Sequence, residues 1–249
     1  TLNIHYIRKR LGSGCIMKKH AFSKIAILFV AAIVLLAGCS NSSTDSGSDG
    51  DLKVIKYAKQ APQMTTLDAQ LSTTSDVIQP ARLIAEPLLT FDEDRNIVPL
   101  LLEELPVTED NITYTLKLKE GVKFHDGSDF TTEDVAFTFN RLYDPETKAT
   151  NTFIADMIKG ANAKLNGEAD EIEGIRIIDD YNMEIELEMA FAPFATVLAS
   201  EMTMIYPKEA TEEAGNTWGI DTFVGTGPYV FGEFIPEDHV KTVKNEDYH

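Results

Sequence analysis

Cysteine is nearly absent from this chain of 249 residues, which holds only Cys15 and Cys39. With none beyond Cys39, the body of the protein cannot be stapled by internal disulfides. Zinc-type spacings are missing too. There is no CxxC pair and no HExxH, and His5, His20, His125, His239 and His249 stand far apart. A GxSxG elbow and a GxxxxGK[ST] loop are also lacking, which removes the best-marked routes to acyl transfer and nucleotide hydrolysis. Positive charge is scarce, with 22 Lys and Arg against 40 Asp and Glu. Six of the basic residues (Arg8, Lys9, Arg10, Lys18, Lys19 and Lys24) precede Cys39, and no acid precedes Asp45. From Cys39 onward 16 basic side chains therefore face 40 acidic ones. A body this acidic repels phosphate backbones, so nucleic acid is excluded as a partner. The plainer effect of the same charge is a solvated, soluble surface.

What the chain does have is enough apolar material for a sizeable core, 43% against 25% charged. Its length allows one large or two modest domains. The first methionine is Met17, and the residues after it follow the order of a secretory signal. Lys18, Lys19 and Lys24 form a basic start, and Ile25 to Ala37 is an uncharged apolar run. That run is shorter than the ~20 residues a membrane-spanning helix needs, although an anchor or a buried helix is the alternative reading. It ends Leu36-Ala37-Gly38-Cys39, which resembles the lipobox of bacterial lipoproteins. The resemblance implies cleavage before Cys39 and a diacylglyceryl group on its sulfur. Two acyl chains suit stable anchoring, because one holds a protein only marginally. Residues 1–16 are then expected to be upstream translation and 17–38 a signal peptide. Residues 39–51, with Ser40 to Asp51 free of large apolar side chains, are expected to be a flexible tether. The globular part should begin near Leu52, outside the cytoplasmic membrane.

The body reads as mixed α and β. Leu52 to Ala58 suits a partly buried strand. Ser75 or Asp76 could cap a helix that carries Pro80 early and Val77, Ala81, Ile84 and Leu88 on one face. Ile112, Tyr114, Leu116 and Leu118 alternate with polar residues, the period of a half-buried strand. Glu120-Gly121 offers a turn from which Val122 to Phe124 could return as a second strand. His125-Asp126-Gly127 follows as a further turn. Thr131 with Asp134 forms a variant capping box ahead of Val135, Phe139 and Leu142 at helical spacing. A second hairpin is expected between Ile172–Ile178 and Met183–Leu187. Gly225-Thr226-Gly227-Pro228 leads into a strand over Tyr229 to Phe231.

Chemistry-bearing candidates are few. His125 beside Asp126 could be a metal or acid–base pair, but a solvent-facing turn is the simpler reading. Gly225-Thr226-Gly227 opens a strand rather than a helix, so no helix N-terminus would present it to a phosphate. Paired carboxylates carry no information in a chain with 40 acids. The expectation is no enzyme, no cofactor and no metal.

Ile112-Thr-Tyr-Thr-Leu-Lys-Leu-Lys-Glu-Gly-Val-Lys-Phe-His-Asp-Gly127, then Phe130-Thr-Thr-Glu-Asp-Val-Ala-Phe137 and Arg141-Leu142, resemble the hallmark segment of the family 5 extracellular solute-binding proteins. These are the oligopeptide- and dipeptide-binding proteins of ABC importers. Leu67-Asp68, Val224-Gly-Thr-Gly-Pro-Tyr229 and Asn245-Glu-Asp-Tyr248 fall in the family's order. The resemblance spans Leu52 to His249. It implies a periplasmic-binding-protein-like α/β fold, with a discontinuous lobe I over residues 52–72 and 189–249 and an accessory domain over 73–188. It also implies a monomer, lipid-anchored on the outer face of the cell membrane, that passes a peptide to ABC permease subunits. Family members are much longer, and the chain stops where their second lobe begins, so the resemblance implies a fragment lacking that lobe. Tyr248 is followed by His249 where the family pattern has tryptophan.

By the same resemblance Thr73, Thr74 and Ser75 would face the ligand, pairing with an extended peptide through backbone groups. Asn151, after Asp144-Pro145, would approach the cleft at a position where some peptide binders carry an aromatic residue. An ordinary polar surface loop is the alternative for all four. Trp218 and Tyr229 could line the cleft or belong to the core. Other cargo (a nickel complex, an opine, a sugar), a non-transport surface lipoprotein and an extracellular hydrolase are the rival functions.

Overall fold

The computed structural model describes Ile55, Met64 to Thr152 and Asp156 to His249. Contacts divide the chain into residues 1–56 and 57–249, and all described residues but Ile55 belong to the second unit. The expected signal, Cys39 and the tether lie outside the described residues, as does the expected strand over Leu52 to Ala58 except for Ile55, which is exposed and in no strand. No helix among the described residues is long and apolar enough to cross a membrane.

Helix α1 spans Ser75–Ile84 and buries Val77, Ala81 and Ile84. Its N-cap is Thr74, one residue earlier than Ser75, and Pro80 is the sixth helical residue rather than a first-turn one. Pro80 cannot donate to the Asp76 carbonyl, so burial of the apolar stripe holds this helix rather than propensity. Leu88 lies beyond the helix end but is buried all the same. Strands β1 (Leu89–Phe91) and β2 (Ile97–Pro99) form a short antiparallel pair.

Strand β3 covers Thr113–Lys117 and buries Tyr114 and Leu116, as the alternation predicts. Helix α2 covers Thr132–Leu142. At its start the Thr131 backbone N–H donates to Asp134 Oδ2 at 3.0 Å and the Thr131 hydroxyl donates to the same oxygen at 3.2 Å. Burial raises the Asp134 carboxyl above the usual range, while the N–H groups of Lys208 and Thr131 pull it back. After a short helix α3 (Ala161–Leu165), strand β4 (Ile175–Ile177) and strand β5 (Asn182–Glu186) make the expected second hairpin. The sheet order is β3-β5-β4, with Leu116 opposite Met183 and Tyr114 opposite Ile185.

The first expected hairpin does not form. Val122 to Phe124 folds onto Ser128–Phe130 instead, through Phe124 N–H to Ser128 O and Phe130 N–H to Val122 O. Both edges of β3 are already taken. One pairs with β5, and the other meets residues 101–107 through the bridges Leu102–Leu118 and Val107–Thr115. A returning strand therefore has no free ladder to join.

Helices α4 (Phe194–Leu198) and α5 (Lys208–Ala214) lead to the hairpin of β6 (Tyr229–Ile235) and β7 (His239–Lys244). Two apolar clusters result. The larger joins Tyr114, Leu116, Met183 and Ile185 to Val135, Phe139 and Leu142, and takes in Phe194 and Leu198. The smaller joins Met64, Leu67, Val77, Ile84, Tyr206, Trp218, Phe223 and Phe234. Trp218 is thus core, with its ring 5.4 Å from Tyr206 and 5.3 Å from Phe223 in edge contacts, and Tyr229 is half-buried. Fully burying side chains such as Phe139 or Ile84 stabilises by roughly 1.5–3 kcal/mol each before entropy is counted.

Candidate functional site

Leu67-Asp68 and Arg141-Leu142 stand far apart in the chain, and the fold brings them together. Asp68 has no exposure to solvent, so its charge needs partners. Arg141, at the end of α2, supplies the countercharge through Nη2 to Oδ2 at 2.6 Å. The other carboxylate oxygen accepts from the Tyr206 hydroxyl at 3.1 Å and the Gln70 backbone N–H at 2.9 Å. Tyr206 in turn accepts from the Ala69 N–H at 3.0 Å. Burial first, and then the Asp68 charge, push the Tyr206 hydroxyl well above its ordinary range, so it stays a donor. Arg141 Nη1 also donates to Gln70 Oε1, while Gln70 Nε2 donates to Thr138 O at 2.9 Å. Each polar group of this centre has a partner, which makes residues 67–71 a rigid base.

The sequence-derived site residues stand on that base. Thr73 and Ser75 are exposed and Thr74 is half-buried, with its N–H meeting the Ser72 hydroxyl at 3.3 Å. Among the described residues no backbone hydrogen bond holds Thr73. Asn151 is half-buried. It follows Thr150, whose N–H donates to the Gln70 carbonyl at 2.9 Å. The segments carrying Thr73 and Asn151 therefore meet at Gln70. Cys39 lies outside the described residues. Gln70 and Tyr206 went unnoticed in the sequence, and Asp68 and Arg141 stood there only as separate landmarks. Nothing in their spacing links positions some seventy residues apart.

His125 departs from the expected solvent-facing turn. Its ring is half-buried, with Nε2 2.8 Å from Gly227 O and Nδ1 receiving the Gly225 N–H at 3.4 Å. The donor at Gly225 leaves the proton on Nε2, which donates to Gly227. Burial holds this imidazole below its ordinary value of 6.5, outweighing the hydrogen bond to Gly227 and the charges of Glu86 and Asp126. The unfolded chain therefore takes up the proton first. Stability should be flat above about pH 6.5 and fall as pH drops from there toward the depressed folded value. Urea melts across that window should show a slope that His125→Gln removes; an unchanged slope would contradict the burial of the neutral ring.

Near it Glu86, 5% exposed, accepts from Thr226 at 2.9 Å and from the Tyr248 hydroxyl at 2.7 Å. Burial and this carboxylate push the Tyr248 phenol up. Among the described residues no group of His, Cys, Asp or Glu is arranged to hold a metal ion. Positioned hydrogen-bond donors and acceptors beside an exposed backbone can grip an extended chain by shape and main-chain pairing.

The family model for bacterial extracellular solute-binding proteins, family 5 (middle) matches residues 96–249. The chain is 27% identical over 217 residues to the dipeptide-binding protein DppE of Bacillus subtilis, covering 85% of this chain and 39% of that protein. It is 30% identical over 217 residues to the glutathione-binding protein GsiB of Escherichia coli O157:H7, covering 87% and 38%. Among solved structures, the substrate-binding domain of an oligopeptide ABC transporter from Bacillus anthracis superposes with a TM-score of 0.71 at 31% identity. That match covers 76% of this chain and 38% of the other. Listeria monocytogenes OppA bound to peptide shares the fold, with a TM-score of 0.69 at 24% identity, over 74% and 37%. The chain thus spans about two fifths of the length of the relatives it matches.

Proposed function

Because the chain belongs to the family 5 bacterial extracellular solute-binding proteins, we propose that it serves peptide capture for an ABC importer. The observation that carries this reading is the exposed Thr73, whose backbone has no hydrogen bond among the described residues, three residues after Gln70, which binds Thr150 and stands on the base around Asp68. Thr73, Thr74 and Ser75 pair with the main chain of a short peptide, and Asn151 contacts it from the neighbouring segment. Residues 52–72 and 189–249 act as lobe I and residues 73–188 as the accessory domain. The two apolar clusters depart from those bounds at both ends, since Val77, Ala81 and Ile84 pack with Met64 and Leu67, while Phe194 to Ala199 pack with the 88–187 residues. The protein works as a monomer that passes cargo to permease subunits without altering it. Cells lacking the gene should lose most uptake of a labelled tri- to pentapeptide mixture and regain it on complementation. Unchanged uptake would defeat the transport role, and cleaved peptide after incubation with purified protein would defeat the non-catalytic one.

The lipobox-like end of the apolar run supports anchoring through Cys39. Cys39→Ala should move the protein from the membrane pellet to the soluble fraction after cell disruption, and a variant that still sediments with membranes would refute the anchor.

A further inference from the structure

From the fork that Arg141 makes, we infer that this residue positions the peptide-facing backbone and so sets how strongly main-chain pairing contributes to affinity. The inference rests on the ligand-facing role given to Thr73 above. Arg141 is held by the last turn of α2, with its guanidinium 5.7 Å from the centre of the Tyr206 ring. One arm grips Asp68 and the other Gln70. Those two acceptors belong to the stretch that runs directly into Thr73. Upstream the same stretch is tied by the Leu67 N–H to Gly219 O at 2.7 Å. Downstream the Gln70 carbonyl receives Thr150, the neighbour of Asn151. A single fork therefore fixes the origin of both segments. The planar guanidinium holds two acceptors at a fixed angle, whereas an ammonium has three freely rotating donors on one atom and sets no such angle. Order in the free protein is what a bound strand would otherwise have to impose, so loosening the fork lowers affinity without removing any contact to peptide.

The test uses the full-length protein from its own gene, with tetra-alanine or the tightest tetrapeptide recovered from a random library as probe. Each probe is compared with versions N-methylated at single amides. In the wild type, methylation of the amide facing Thr73 should weaken binding by roughly three- to tenfold, the worth of one hydrogen bond. Arg141→Lys should bind the unmodified peptide roughly tenfold more weakly and lose the methylation penalty, while its melting curve stays cooperative. A merely structural role would weaken all probes alike and keep the penalty, which would overturn the inference. If Arg141→Lys fails to fold, Gln70→Met, which keeps the Arg141–Asp68 pair, should lose the penalty instead; keeping it would overturn the inference as well. No peptide binding by the wild type would refute the capture function itself, a separate outcome.

Discussion

Gly225→Ala should leave the protein largely unfolded at temperatures where the wild type is intact. A Cβ at this position would run into the Ile84 carbonyl oxygen and come within 2.7 Å of the Ala85 Cα. Both are backbone atoms at the end of α1, so no side-chain rotation relieves the collision. Gly227 lies against the same helix end, and its N–H donates to Ile84 O at 2.8 Å. Overpacking typically costs about 1–3 kcal/mol, and a clash with the backbone of a helix end belongs at or beyond the upper end. Gly167→Ala is the control. Gly167 has φ +72° and nothing within 4 Å of the place a Cβ would occupy, so only the left-handed backbone penalty of ~1 kcal/mol applies. Urea denaturation of the two variants separates crowding from conformation. Equal losses would show that the loop can step away from α1.

The second large effect is expected at Asp68. Asp68→Ala leaves the Arg141 guanidinium without its countercharge and the Tyr206 hydroxyl and Gln70 N–H without their acceptor. Removing one partner of a buried pair costs about 3–5 kcal/mol, much of it from the charge left behind. Asp68→Asn retains an oxygen for Tyr206 and Gln70 and should lose noticeably less. Chemical denaturation of both variants reads the difference. A loss below about 1 kcal/mol in Asp68→Ala would mean that water reaches the guanidinium and screens it.

These two sites mark where the sequence stops being readable. β3, β5 and α2 were legible because their signals are local. Tyr114 and Leu116 alternate with polar residues, Met183 and Ile185 alternate with glutamates, and Thr131 sits three residues before Asp134. The partner of β3 was not legible. Adjacent Val122–Phe124 looks as suitable as distant Asn182–Glu186 until residues 101–107 take the remaining edge. For the same reason His125 reads as part of an open turn, since its cover comes from Gly225 and Gly227 a hundred residues later. The base beneath Thr73 is likewise assembled from Asp68 and Gln70 with the distant Arg141 and Tyr206, a separation that no helical or strand spacing bridges.

The pairing of β3 with β5 has a kinetic consequence. Lys117 meets Asn182 and Thr113 meets Glu186, so more than sixty residues must be looped out before the first rung of this ladder can close. Closing so long a loop makes this pairing slower than the local β4–β5 hairpin, which joins segments only a few residues apart. A newly made polypeptide of this topology stays unfolded longer than one whose sheets join only neighbouring segments.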